Sequence, residues 1–372
     1  MANGGHTTPG GDFLPGDDLL AARVTNRSVA GDKPLFVLMA CLHAREIATP
    51  ELAMRLLDEL TDLYGVDADI TWLVDHHEVW ILPLTNPDGH RHVELGAEPA
   101  NGAAPWRWRK NVRPGGSCGW PPLDGSSTEG VDLNRNFPFE WGTSSGQAGS
   151  SDPCSENYRG DVAGSEPETQ AIMGLIETLI PDKRGPAPLD AAPDTTSSLF
   201  IQLHSPFRTV TWPWAHTGSP PPNAVGLRAI GEKLAALSGY TAGQTHDAIY
   251  RMTGTADDWV YGELGAPALL VEVGEGLMPP FHKIDNVLWP EVRDTFVHAA
   301  KLSRAPYQLA HGPDVVAPAA QPSGGGFVVD ATADDSTSGG LTLAAAEAYV
   351  GLPPWDASSL PVPLDAADGA FD

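Results

Sequence analysis

The chain is short of positive charge: 22 lysines and arginines stand against 48 aspartates and glutamates, a formal balance of -26. So acidic a surface excludes nucleic acid and anionic membrane as main partners, because both demand a basic face. Cysteine is scarce too, at three in 372 residues, which rules out a disulfide scaffold. One bridge can still form. Cys118 and Cys154 are the favoured pair because both lie in polar, loop-like sequence, whereas Cys41 lies in an apolar run and reads as a buried, inert thiol. No stretch approaches the ~20 apolar residues that span a bilayer, so no membrane span is expected. The opening Met-Ala-Asn-Gly-Gly-His carries neither the basic nor the apolar region of a signal peptide.

What is present is a globular pattern. The hydrophobic fraction of 41% is ordinary, and the length suits one large domain with something smaller attached. Apolar runs at 35–42, 77–84, 199–203 and 268–273 read as buried strands. Helices fall between them. Thr49 is read as the cap of one, with Pro50 in its first turn and Leu52, Leu56, Leu60 and Leu63 on one face. Ser165 and Glu168 read as a capping box for a second. A third runs from about Ala224 to a stop at Gly239, and a fourth lies near 290–302. This alternation predicts an α/β fold with a mixed, mostly parallel central sheet and helices on both faces. Residues 87–164 lack clear periodicity, and so long an irregular stretch inside a domain is usually functional. After Leu309, Pro, Ala and Gly dominate. The division expected is therefore a domain at 1–310 and a linker with a partial β-module or tail at 311–372.

The chemistry-bearing residues begin with His43-Ala-Arg-Glu46, at the mouth of an apolar strand. Ligands of open α/β sheets gather beyond the carboxyl ends of strands. A histidine and a carboxylate three apart can converge there on one cation, and zinc takes both donors while keeping one position open. His204, leaving another apolar strand, is the third candidate. By itself this pattern also fits a solvated loop and a structural histidine. His90 and His92 form a rival pair, which could share one face and bind metal themselves, but they read as polar loop residues.

The company these residues keep is more specific. In order come Asn86-Pro-Asp-Gly89, Trp108-Arg-Lys-Asn111, Gly130-Val-Asp-Leu-Asn-Arg-Asn-Phe137, Tyr158-Arg-Gly160, Ser165-Glu-Pro-Glu168 and Leu203-His-Ser205. Ile249-Tyr250, Asp257-Asp-Trp259 and Val271-Glu-Val273 follow. The series resembles the zinc carboxypeptidase family of the pancreatic A/B type and its bacterial secreted relatives, over roughly 35–302. The resemblance implies that His43, Glu46 and His204 hold one Zn2+. It implies that a zinc-activated water attacks the scissile carbonyl with Glu272 as general base. Glu272 is preferred to Glu275 because a lone carboxylate in an apolar strand end needs a reason. Arg109 matches the residue that stabilises the oxyanion. Asn134 and Arg135 match the pair that grips the substrate's terminal carboxylate, Tyr250 the mobile tyrosine that joins them, and Arg45 a residue lining the next subsite.

The implied activity is removal of single C-terminal residues from peptides or proteins by a monomeric catalytic domain, outside the cell. Two positions before Trp259, where the family sets the floor of the pocket for the terminal side chain, stands Asp257. A carboxylate there points to Lys or Arg ends. Thr245, Met252 and Leu270 are expected beside it and leave a mixed A/B specificity open. A zinc amidohydrolase or deacylase on the same scaffold is the other alternative, disfavoured because Asn134, Arg135 and Tyr250 are all present. Departures from the family include a late start, with only 19–24 to supply an early strand, so a fold truncated on its N-terminal side is expected. Thr128 stands where the usual partner of Cys154 would be, with Cys118 as the substitute, and the insertion between Asn111 and Gly130 has no counterpart.

Overall fold

The computed structural model describes residues 16–99, 103–113, 118, 129–187, 190–336 and 343–366, with the strand backbone of 6–7 and 13–14. The chain forms two compact units, Met1–Leu309 and Ala310–Asp372.

In the first unit β1 (His6–Thr7) pairs antiparallel with β2 (Phe13–Leu14). The main sheet has seven strands: β3 (Ala22–Val24), β4 (Leu35–Ala40), β5 (Glu78–Leu82), β6 (Leu199–His204), β7 (Thr209–Trp212), β8 (Thr241–Gln244) and β9 (Ala268–Glu272). Their spatial order is β3-β5-β4-β6-β9-β7-β8. Neighbours from β5 through β9 run parallel, as do β7 and β8, while β3 on β5 and β7 on β9 are antiparallel. Every residue of β4, β6 and β9 is buried, as expected for central strands covered on both faces.

The flanking helices are α1 (Ala48–Asp62), α2 (Ala68–His76), α3 (Pro87–Gly96), α4 (Pro167–Leu179), α5 (Ala224–Ser238), α6 (Thr245–Ala248), α7 (Ala256–Trp259), α8 (Trp289–Leu302) and α9 (Pro306–Leu309). α1 turns Leu52, Leu56 and Leu60 inward, and α5 ends at Gly239 in the left-handed conformation that only glycine adopts cheaply. Among the described residues no helix is long and apolar enough to cross a membrane.

Three local expectations fail. Thr49 does not cap α1: its Oγ1 donates to Glu46 O and accepts from Cys41 N, so it closes the preceding loop and the helix starts at Ala48. Ser165 and Glu168 form no capping box. Glu166 precedes α4, Ser165 Oγ donates to Glu166, and Glu168 accepts from Asn111. The irregular stretch 87–164 opens with a helix, α3, whose first turn is fixed by Pro87 and by Gly89 N donating to Asn86 Oδ1. His90 and His92 therefore lie on a helix, and His92 packs on Trp108 with ring centroids 5.0 Å apart.

The second unit is two antiparallel hairpins, β10 (Asp314–Ser323) with β11 (Gly326–Asp334) and β12 (Ala346–Tyr349) with β13 (Pro361–Leu364). Gly324 and Gly325 both have positive φ, the two-residue turn that suits the strand twist.

Candidate active site

The candidate residues gather where β4, β6 and β9 end. β4 stops at Ala40, and Cys41 turns the chain with a positive φ of 56°, unusual for a side chain bearing a Cβ. Asn86 Nδ2 donates to Leu42 O and Lys110 O and so pins the loop that follows. On that loop His43 Nδ1 lies 2.8 Å from Glu46 Oε1. His204, the last residue of β6, brings its Nδ1 to 2.9 Å from Glu46 Oε2, which also accepts from Ser205 N at 3.2 Å. The donor atoms of His43, Glu46 and His204 all lie within 4.8 Å of one another, and all three residues are buried. Two imidazole nitrogens converging on one carboxylate form a donor set that could hold a zinc ion.

Charge organises the surroundings. Burial opposes ionisation of Glu46, but His43 and His204 outweigh it and hold its carboxyl well below the usual range. Asp132 is fully buried, and despite burial Arg109, Arg135 and His43 keep its carboxyl well down. It takes Arg109 Nε and Nη2 on Oδ2, at 3.0 and 2.8 Å, and faces His43 Nε2 across 3.2 Å with Oδ1. Its contact with Arg135 is looser, at 3.9 Å.

Glu272 ends β9 opposite His204 in register. Burial, reinforced by the Glu46 charge, pushes its carboxyl up to about 8. Glu275 is exposed. Asn134 Oδ1 accepts from Ala256 N, which leaves its amide nitrogen as the group it can offer a ligand. Arg135 has no exposed surface; its Nη1 donates to Asn134 O and its Nη2 to Tyr250 Oη at 3.1 Å. Gly254 fits against it because a Cβ there would come within 2.4 Å of Arg135 O. Asp257 is buried and accepts from Gln202 Nε2 at 2.7 Å; burial and neighbouring Asp258 push it up to about 7. Asp258 accepts from Ala215 N, His216 N and His216 Nδ1. Thr245 Oγ1 bonds Thr211 and Trp212, and Met252 and Leu270 are buried. Arg45 pairs with Glu156.

Among the described residues, Arg135 Nε, Gln202 Oε1, His204 Nε2, Ser205 Oγ, Asp257 Oδ2 and Glu272 Oε2 are buried without a hydrogen-bond partner. Folded proteins rarely leave such atoms unpaired, so this concentration marks a place built for a polar ligand. An apolar groove of about 700 Å³ lined by Leu20, Ile47, Met54, His90 and Phe281 includes none of them. Sequence reasoning missed Gln202, although a polar residue inside the otherwise apolar run 199–203 was a visible signal. It also missed Asp132 as a partner of His43, for which no local signal exists. The Cys118–Cys154 disulfide forms as expected, and Cys41 is free and buried.

Residues 10–294 match the family model described as zinc carboxypeptidase. The chain is 30% identical to rat carboxypeptidase A2 over 240 residues, which cover 63% of this chain and 49% of the rat protein. It is 28% identical to bovine carboxypeptidase B over 238 residues, 62% of this chain and 49% of that protein. The chain thus spans about half the length of these relatives. Bovine thrombin-activatable fibrinolysis inhibitor, solved in complex with tick carboxypeptidase inhibitor, superposes with a TM-score of 0.59 at 22% identity over 80% of this chain and 87% of that one, a likeness of fold. With the family model matched over most of its length, the chain belongs to the zinc carboxypeptidase family.

Proposed function

We propose that the Met1–Leu309 unit is a zinc-dependent exopeptidase that removes single C-terminal residues, with preference for Lys and Arg, and that it acts outside the cell as a monomer. The observation that carries the reading is Arg135: a fully buried guanidinium with an unpartnered Nε, beside Tyr250 and Asn134. A guanidinium of that kind suits a carboxylate, such as the one that ends a peptide chain.

His43, Glu46 and His204 would hold the zinc. When bound, zinc supplies Lewis acidity to the substrate carbonyl and to the attacking water, and its charge favours the ionised form of Glu272. Glu272 takes the proton of that water as the C–O bond forms and passes it to the amine as the C–N bond breaks. Arg109, oriented by Asp132, offers donors to the oxygen that gains charge. Arg45 lines the subsite upstream of the cleaved residue. Asp257 supplies the basic preference: a buried carboxylate with one unpartnered oxygen favours a cationic side chain over an apolar one. The disulfide agrees with an oxidising compartment.

The test is mass spectrometry of a peptide mixture incubated with the protein, with and without a chelator. Loss of single C-terminal Lys or Arg residues that the chelator abolishes is the expected result. Internal cleavage, or activity indifferent to chelation, would overturn the reading, and faster release of Phe than of Arg would overturn the basic preference.

A further inference from the structure

Arg45 stands between two of the candidate metal ligands, yet its charge does not face the site alone. Its Nη1 lies 3.1 Å from both carboxylate oxygens of Glu156 and donates to Arg107 O at 3.3 Å. Its Nε is buried and unpartnered. The pair is half open to solvent, with side-chain exposures of 15% for Arg45 and 36% for Glu156.

Glu156 does not reach Arg45 by chance of a mobile surface. Lys110, itself fully buried and next to Arg109, donates through Nζ to Pro153 O and Ser155 O, each at 2.9 Å. Cys154 between them is bridged to Cys118. Beyond Glu156, Ser150 N donates to Asn157 O and Asp132 N to Tyr158 O. The segment is therefore tied on both sides of Glu156, and its anchors are the neighbours of Arg109 and Asp132. Asp257 is held elsewhere, by Gln202 of β6.

Building on the exopeptidase reading, we propose that Glu156 is a specificity-determining residue: a built-in counter-ion that neutralises Arg45 and selects the residues just upstream of the cleaved one. A substrate carrying Asp or Glu there must displace Glu156 to reach Arg45. A substrate carrying Lys or Arg keeps the pair and gains an attraction to Glu156. Partly exposed ion pairs are weak, so the pair is exchangeable, and its effect is a bias between substrates.

The experiment compares kcat/KM for peptides that share one C-terminal residue and carry Asp, Gln or Lys upstream of it. Wild-type protein should favour Lys over Asp. Glu156→Gln should raise the Asp/Lys ratio by about fivefold, the scale of one such pair, with thermal stability near wild type. Glu177→Gln, an exposed change on α4, controls for net charge and should leave the ratio alone. An unchanged ratio in Glu156→Gln, with the Gln peptide still cleaved, would overturn the inference and leave the exopeptidase reading standing. An equal shift in Glu177→Gln would also overturn it, by assigning the bias to long-range field. Absence of C-terminal release by the wild-type protein would remove both readings together.

Discussion

His204 and Glu272 occupy facing positions on the parallel strands β6 and β9, each the last residue of its strand. The register of two buried strands therefore sets the distance between a candidate metal ligand and the candidate base. Each of the two side chains also keeps one buried atom without a partner among the described residues.

Glu272→Gln separates chemistry from folding. Loss of the general base should lower kcat by about 10²–10⁴-fold. The neutral amide relieves the burial that pushes the carboxyl up to about 8, so the melting temperature should hold or rise. Peptide turnover and calorimetry on the same preparation check both halves, and normal turnover would remove the assignment.

Neighbouring aspartates should part company. Asp257→Asn removes a carboxylate that Gln202 supports. It should keep stability while the Arg/Phe ratio of kcat/KM falls at least about tenfold. Asp258→Asn weakens an acceptor of three donors and should cost about 2–3 kcal/mol. Denaturant unfolding and substrate competition distinguish them.

Stability should depend on pH through Glu168. Burial, with help from Glu166 and Asp88, lifts its carboxyl from 4.5 to about 7 against the donors that lower it. Between those values the unfolded chain has released the proton and the folded one has kept it. Stability contributed by this group therefore falls as pH rises from about 4.5 to about 7. Glu168→Gln, which stays neutral, should flatten that slope and be more stable at pH 8 by at most roughly 3 kcal/mol. Melting curves from pH 5 to 8 for both proteins test the sign.

Replacing Cys118 and Cys154 by serine frees a segment with a sequence separation of 36. The unfolded chain then gains freedom worth roughly 3–4 kcal/mol, so the double variant should melt at a lower temperature. A melting point equal to wild type would mean that the bridge contributes no net stability.

The sheet was legible because its central strands are covered on both faces and so appear as unbroken apolar runs, as in Leu199–His204. α3 was not, because Pro87 and Gly89 read as loop residues when they are the first turn that Asn86 closes. β7 and β8 also escaped notice, being short, and β8 is largely open to solvent. Candidate ligands could be named from order and spacing. Their supports could not: Asp132 is 89 positions from His43, and Lys110 some 45 from the carbonyl of Ser155. Such pairings exist only once the chain has folded, and no local pattern encodes them.

Asp132 also sets limits on how this site can change. One buried carboxylate touches His43 and Arg109 and lies near Arg135, so the proposed metal, oxyanion and terminal-carboxylate functions share a single hinge pin. A substitution at that residue should disable all three at once, and no single compensating change can restore them. Drift or directed evolution is thereby channelled away from the centre and toward Asp257 and Glu156, whose side chains bond Gln202 and Arg45 and not the Asp132 carboxylate. The molecule can change which chain ends it accepts far more easily than what it does to them.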